Sequence, residues 1–199
     1  MAQPPTKRIW LLRHAQTEWS RNGRHTGSRS DIPLTEEGEA MARELAPVVS
    51  GIRFGLVLVS PMNRTRRTAE LAGLLDGSEE DPDLLEWDYG DYEGITTARI
   101  REQDPGWTIW THPCPNGETG EQVAARARNV IDRALAADGD VALVSHGHYL
   151  RVLCATWLHL APQHGAGFAL STGTVCLLGF EHEYRTILHW NERVAGVRS

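Results

Sequence analysis

The chain alternates short apolar runs with longer stretches whose apolar positions recur at helical spacing. Five runs read as strands: 8–12, 55–59, 141–145, 174–180 and 185–190. The first three are short, rich in branched residues and apolar throughout, as in strands covered on both faces. The last two flank EHEY at 181–184 and predict a hairpin at a sheet edge. Helix starts carry their own signals. Thr35 precedes Glu36 and Glu37, a cap followed by acids in the first turn. Ser60 precedes Pro61, which reads as an N-cap with proline at the first helical position. In 121–137, Val123, Ala127, Val130, Ile131 and Ala134 share one helical face, and ADGD at 137–140 ends the run. A further helix is expected over 149–159.

This alternation predicts an α/β fold: a single-domain three-layer sandwich over 1–199, with a mainly parallel sheet and helices on both faces. The stretch 88–120 departs from it. WDYGDYEG (87–94) and PGWTIWTHPCPNGET (105–119) mix aromatic residues with glycine and proline. They predict a small, semi-independent lid insertion over the sheet edge. Trp87, Tyr89, Tyr92, Trp107 and Trp110 read either as a stack for a sugar or as the lid's own core, with core expected for at least three. Arg99 and Arg101 read either as contacts to a second phosphate or as surface charges.

Composition narrows the picture only a little. A length of 199 residues suits one domain, and a formal net charge of −6 argues against a broad nucleic-acid surface. No apolar run is long enough to span a bilayer. The opening MAQPPTKR has no apolar core of a secretory signal, and 1–6 is expected to be a loose tail. Three widely spaced cysteines, Cys114, Cys154 and Cys176, do not make a disulfide framework. A reducing, cytoplasmic location is therefore expected.

The chemistry gathers at the strand ends. Strand 8–12 runs into Arg13 and His14. Strand 55–59 runs into Ser60, with Arg64 one helical turn later. Strand 141–145 runs into His146, Gly147 and His148. In an open α/β sheet the carboxyl ends of the strands are where ligands bind. Two guanidiniums and two imidazoles brought together repel one another, and a phosphoryl dianion relieves that repulsion. Its oxygens accept charge-assisted hydrogen bonds, and arginine's fork meets two of them at once. The rival use of the histidines is a metal site, but HExxH, a Cys–His cluster and a carboxylate-rich loop are all missing from the sequence. No glycine-rich nucleotide loop is present either.

Five segments in order carry a family resemblance: LLRHAQTEW (11–19), SPMNRTRRTAE (60–70), LLEWDYGDYEG (84–94), PNGET (115–119) and VSHGHYLR (144–151). Together they resemble the histidine phosphatase superfamily in its phosphoglycerate-mutase-like branch. The resemblance implies metal-free phosphoryl transfer through a phosphohistidine, with no cofactor. It implies His14 as nucleophile, Arg13, Arg64 and His146 as holders of the phosphoryl oxygens, and Glu86 as general acid and then base. Thr26 and the backbone of Gly147 would line the phosphate pocket, with Gly27 and Tyr89 beside them as substrate contacts. Two positions depart from the family pattern. Ala15 stands where the motif has glycine. Ser20 stands where asparagine is usual, so its contact to phosphate is in question.

Phosphatases and mutases of this branch share the phosphate site, so the choice rests on its surroundings. A compact aromatic lid and only NERVAGVRS after Trp190 favour water reaching the phosphoenzyme, hence hydrolysis. The expected activity is a metal-independent phosphatase acting on small phosphomonoesters, either sugar phosphates or phosphorylated acids. A cofactor-dependent phosphoglycerate mutase is the alternative, and a catalytically silent phosphate- or protein-binding module a third. The expected partner is a small phosphorylated metabolite, with neither nucleic acid nor membrane; a homo-oligomer is compatible with the sequence.

Overall fold

A computed structural model describes residues 7–193. The expected tail at 1–6 lies outside the described residues. The elements run β1 (Ile9–Arg13), α1 (Glu18–Arg21), α2 (Glu36–Val49), β2 (Phe54–Val59), α3 (Asn63–Leu71), β3 (Glu79–Glu80), α4 (Thr97–Ile100), α5 (Gly120–Ala136), β4 (Asp140–Ser145), α6 (Gly147–Trp157), β5 (Val175–Glu181) and β6 (Tyr184–Glu192). They build one six-stranded sheet in the order β3-β2-β4-β1-β5-β6. The first four strands of that order pair parallel. β5 and β6 run antiparallel and form the expected edge hairpin.

Alternation along each strand divides the core into two layers. Ile9, Leu11, Val141 and Leu143 face one way, against α5 and α6 through residues such as Val130 and Leu153. Trp10, Leu12, Ala142 and Val144 face the other way, against α2 and α3 through Leu45 and Ala69. The three-layer α/β reading is therefore what the chain adopts.

Two local expectations need correction. Ser60 does not cap α3. The helix starts later, after Met62, and the Ser60 hydroxyl is bonded to His146 instead. The segment 88–120 is not a semi-independent lid. Trp87, Tyr89, Ile100, Trp107, Ile109 and Cys114 are buried in the same cluster as the α5/α6 side of the sheet. Backbone bonds tie it down as well: His25 N–H donates to Ile95 O at 3.0 Å, and Gly94 N–H to His25 O at 2.8 Å. Trp87, Tyr89 and Trp107 are core, while Tyr92 and Trp110 are partly exposed. The helix expected over 121–137 starts at Gly120, capped by Thr119 with Gln122 reaching back in a capping box. All three cysteines are buried and unbridged. Among the described residues no helix is long and apolar enough to cross a membrane.

Candidate active site

The sheet register brings the candidate residues together. β2, β4 and β1 are adjacent and parallel, with Val59 opposite Val144 and Arg13 opposite Ser145. The ladder continues one step past the strands: Ser60 N–H donates to Val144 O at 3.0 Å, and His14 N–H to Ser145 O at 2.8 Å. His14, Ser60 and His146 therefore leave the same edge side by side. The rings of His14 and His146 lie edge to face with centroids 5.2 Å apart.

His14 is buried, and its Nδ1 lies 2.8 Å from Ala15 O. A carbonyl can only accept, so Nδ1 carries the hydrogen and the lone pair sits on Nε2. Burial, then the charges of Arg64 and Arg13, push its pKa well below the ordinary imidazole value. The ring is thus neutral, with its free nitrogen fixed at Nε2. Ala15 is fully buried, and its N–H donates to the Thr68 hydroxyl at 3.1 Å.

Arg64 is completely buried. Its Nε donates to His146 Nδ1 at 3.2 Å, its Nη1 to Ser30 O at 2.9 Å and its Nη2 to Gly27 O at 2.8 Å. Because Arg64 supplies that hydrogen, His146 Nδ1 is an acceptor, and Nε2–H donates to Ser60 Oγ at 2.8 Å. Burial, then Arg64, His14 and Arg13, hold His146 neutral. Arg13 donates through Nη1 to Leu170 O at 2.5 Å, and its guanidinium packs against Gly147. A methyl group at Gly147 would come within 3.0 Å of Arg13 Cζ. Arg13 Nε and Thr26 Oγ1 are among the buried polar atoms with no hydrogen-bond partner within the protein.

Glu86 is buried and accepts three backbone hydrogens. Oε1 takes those of Trp87 at 2.9 Å and Tyr149 at 2.8 Å, and Oε2 takes that of His148 at 3.0 Å. The last two belong to the first turn of α6, whose N-cap, His146, offers no side-chain bond of its own. The carboxylate caps that helix from another part of the chain, and the positive end of the helix dipole favours it there. Oε2 carries one hydrogen bond, which leaves its other lone pair without a partner in the protein.

Gly27 is required. A Cβ there would come within 2.4 Å of Glu93 Oε2, 2.7 Å of Trp87 O and 2.8 Å of the Tyr89 ring. Tyr89 is buried with its hydroxyl 2.5 Å from His148 Nδ1. Burial, then Arg151, His25 and Arg13, keep His148 well below the usual imidazole range.

Several sequence expectations fall away. Ser20 is engaged in capping α1: its Oγ donates to Thr17 O and accepts from Thr17 N–H, both at 2.9 Å. Its single hydrogen is already given, so it is not a phosphate donor. Asp88 pairs with Arg29 at 2.8 Å and holds Gly90 N–H at 2.9 Å. Arg99 is exposed and paired with Glu102, and Arg101 Nε donates to Trp107 O at 2.9 Å, so neither awaits a second phosphate. Two residues beside the site went unread. Arg151 lies over the Trp110 ring at 4.5 Å, and Trp110 meets the His148 ring at 5.2 Å. Glu93 accepts from Gly27 and Ser30 N–H at 3.0 and 3.1 Å.

Residues 9–193 match the model of the histidine phosphatase superfamily (branch 1). An acid phosphatase of Mycobacterium tuberculosis is 42% identical over 184 residues, covering 90% of each chain. A sedoheptulose 1,7-bisphosphatase of Saccharomyces cerevisiae is 35% identical, over 79% of this chain and 70% of that protein. Among solved structures, an open reading frame of Mycobacterium tuberculosis superimposes with a TM-score of 0.90 at 39% identity, covering 96% of this chain and 100% of that one.

Proposed function

The chain belongs to the histidine phosphatase superfamily (branch 1), and from that premise we propose that it hydrolyses small phosphomonoesters through a phosphohistidine on His14. It is a phosphatase of small phosphorylated substrates, in keeping with its acid phosphatase and sugar bisphosphatase relatives. The observation that carries the mechanism is the state of His14: neutral under burial and the charges of Arg64 and Arg13, with Nδ1–H spent on Ala15 O so that the lone pair sits on Nε2.

In the first step Nε2 attacks phosphorus in line. The N–P bond forms as the bond to the leaving oxygen breaks, and that oxygen takes a proton from Glu86. The transition state is loose, so positioning and charge supply most of the acceleration. Arg13 and Arg64 supply the positive charge to the equatorial oxygens. His146 orients Arg64, and its Nε2–H, which otherwise rests on Ser60 Oγ, passes to a phosphoryl oxygen on binding, while Thr26 adds a hydroxyl. His146 acts as a neutral ring, because burial and then the charges of Arg64, His14 and Arg13 disfavour its imidazolium. The Nδ1–H of His14 stays on Ala15 O and stabilises the positive ring of the intermediate. In the second step water attacks phosphorus, the N–P bond breaks, Glu86 takes the proton, and inorganic phosphate leaves.

The leaving group departs on the Glu86 side, where His148, Trp110 and Arg151 follow one another. That wall suits a polar, anionic leaving group such as a sugar phosphate or a phosphorylated acid. The test is release of inorganic phosphate from a panel of sugar phosphates, sugar bisphosphates and phosphoglycerates. Release from several of them supports the reading. Isomerisation of 3-phosphoglycerate that outruns phosphate release and depends on a bisphosphate primer contradicts it.

A further inference from the structure

Arg64 has two hydrogen-bonding obligations outside the phosphate site, and both point at one loop. Its Nη2 donates to Gly27 O and its Nη1 to Ser30 O, at 2.8 and 2.9 Å. Those carbonyls belong to a stretch with no regular secondary structure, 25–34. Something must hold the loop before the loop can hold Arg64. The amide hydrogens of the same two residues, Gly27 and Ser30, both go to Glu93 Oε1, at 3.0 and 3.1 Å. One carboxylate oxygen thus fixes the two peptide positions whose carbonyls orient the guanidinium.

The placement of Glu93 is costly, which makes a local structural accident a poor explanation. Its second oxygen, Oε2, is buried with no hydrogen-bond partner. Burial pushes its pKa up, and only the bonds from the loop and the charge of Arg64 offset this. The fit around it is tight, since any side chain at Gly27 would collide with Oε2. Glu93 is also anchored from behind, because the next residue, Gly94, donates its N–H to His25 O, on the near side of the same loop.

We propose that Glu93 is the positioning residue of the phosphoryl pocket. It clamps the Gly27–Ser30 loop so that the two carbonyls hold Arg64 at the angle that meets a phosphoryl oxygen. The proposal rests on the reading of Arg64 as a phosphoryl-binding group. Glu93 touches neither substrate nor reacting atoms and acts entirely through Arg64. Its removal lets the guanidinium shift within its pocket, and displacements of this kind cost on the order of 10- to 100-fold in rate.

A double-mutant cycle tests it, read as kcat/KM for a good phosphomonoester and as the competitive inhibition constant of inorganic phosphate. Glu93→Ala should lose roughly 10- to 100-fold in kcat/KM and bind inorganic phosphate more weakly. Glu93→Gln, which keeps an oxygen at Oε1, should recover most of that loss. Glu93→Asp, one methylene shorter, should not. Arg64→Lys cannot span both carbonyls, so in that background Glu93→Ala should cost little further. Equal costs of Glu93→Ala in the wild-type and Arg64→Lys backgrounds would overturn the proposal and leave the phosphoryl-site reading standing. Wild-type kinetics in Arg64→Lys itself would instead overturn the reading of Arg64. Should Glu93→Ala fail to fold, the same cycle with Glu93→Asp decides the matter.

Discussion

The backbone N–H of Tyr149 donates to Oε1 of Glu86 at 2.8 Å, so the carboxylate proposed as general acid also caps α6. Removing it should have two separable effects. Glu86→Gln turns one acceptor oxygen into a donor, leaving a buried N–H unpaired at a cost of about 1–3 kcal/mol; the melting temperature should fall. The chemical effect depends on the leaving group. For alkyl and sugar phosphates the first step should slow by ~10²–10⁴-fold, the usual worth of general acid catalysis. For a nitrophenyl ester, whose phenolate leaves without help, it should slow far less. Hydrolysis of the intermediate slows equally for both, so the nitrophenyl ester should show a burst. Equal slowing of both substrates with no burst would make Glu86 a structural cap alone.

Gly147→Ala separates activity from stability. The new methyl group would lie 3.0 Å from Arg13 Cζ and 3.1 Å from Arg13 Nε. The guanidinium must yield, and kcat/KM should fall by about tenfold or more, by the same misplacement argument as for Arg64. Gly147 is the first residue of α6, where alanine is tolerated, so the melting temperature should stay within a few degrees. A substantial loss of stability with unchanged kcat/KM would show that Arg13 does not depend on this contact.

Stability should fall steeply on the acid side. Burial holds His25 at about 4, and it holds His14, His146 and His148 well below the ordinary 6.5. The unfolded chain takes up these protons near 6.5 while the folded chain does not. The stability these groups contribute is therefore complete above pH 6.5 and is lost as pH falls through the folded-state values. The slope is about 1.4 kcal/mol per pH unit for each proton. The urea midpoint should drop between pH 6.5 and 4.5, and His25→Phe should shallow that slope by up to one proton. A midpoint independent of pH over that window would contradict the buried, neutral imidazoles.

Much of the site was legible because three parallel strands end in polar residues, and adjacent parallel strands must bring those ends together. The apolar runs ending at Arg13–His14, Ser60 and His146 needed no tertiary knowledge. What stayed hidden depends on contacts between distant segments. Ser60 and Pro61 look like a helix start, yet the Ser60 hydroxyl is claimed by His146, 86 positions away. The aromatic residues between 87 and 110 have no period that assigns them to a face; that at least three form core was readable, but not that these are Trp87, Tyr89 and Trp107. Ser20 reads as a short asparagine until its pairing with Thr17 is seen. Glu93 is one acid among four in WDYGDYEG and its upstream Glu86, and only the loop it clamps distinguishes it. β3 is two glutamates on the sheet edge, a strand without a hydrophobic signal.

Chelation should leave the rate unchanged. On the proposed reading the phosphoryl charge is met by the guanidinium groups of Arg13 and Arg64, whose charges, after burial, depress the pKa of His14. Steady-state rates before and after exhaustive treatment with a chelator check this. Full loss, restored by zinc or magnesium, would contradict it.

The most direct measurement of the central claim is rapid quench with a substrate labelled in its phosphoryl group, followed by mapping of the adduct. The account predicts an acid-labile, base-stable label on His14 that forms and decays within turnover and is absent from His14→Ala. A label that persists in His14→Ala, or turnover by that variant at the wild-type rate, would contradict it.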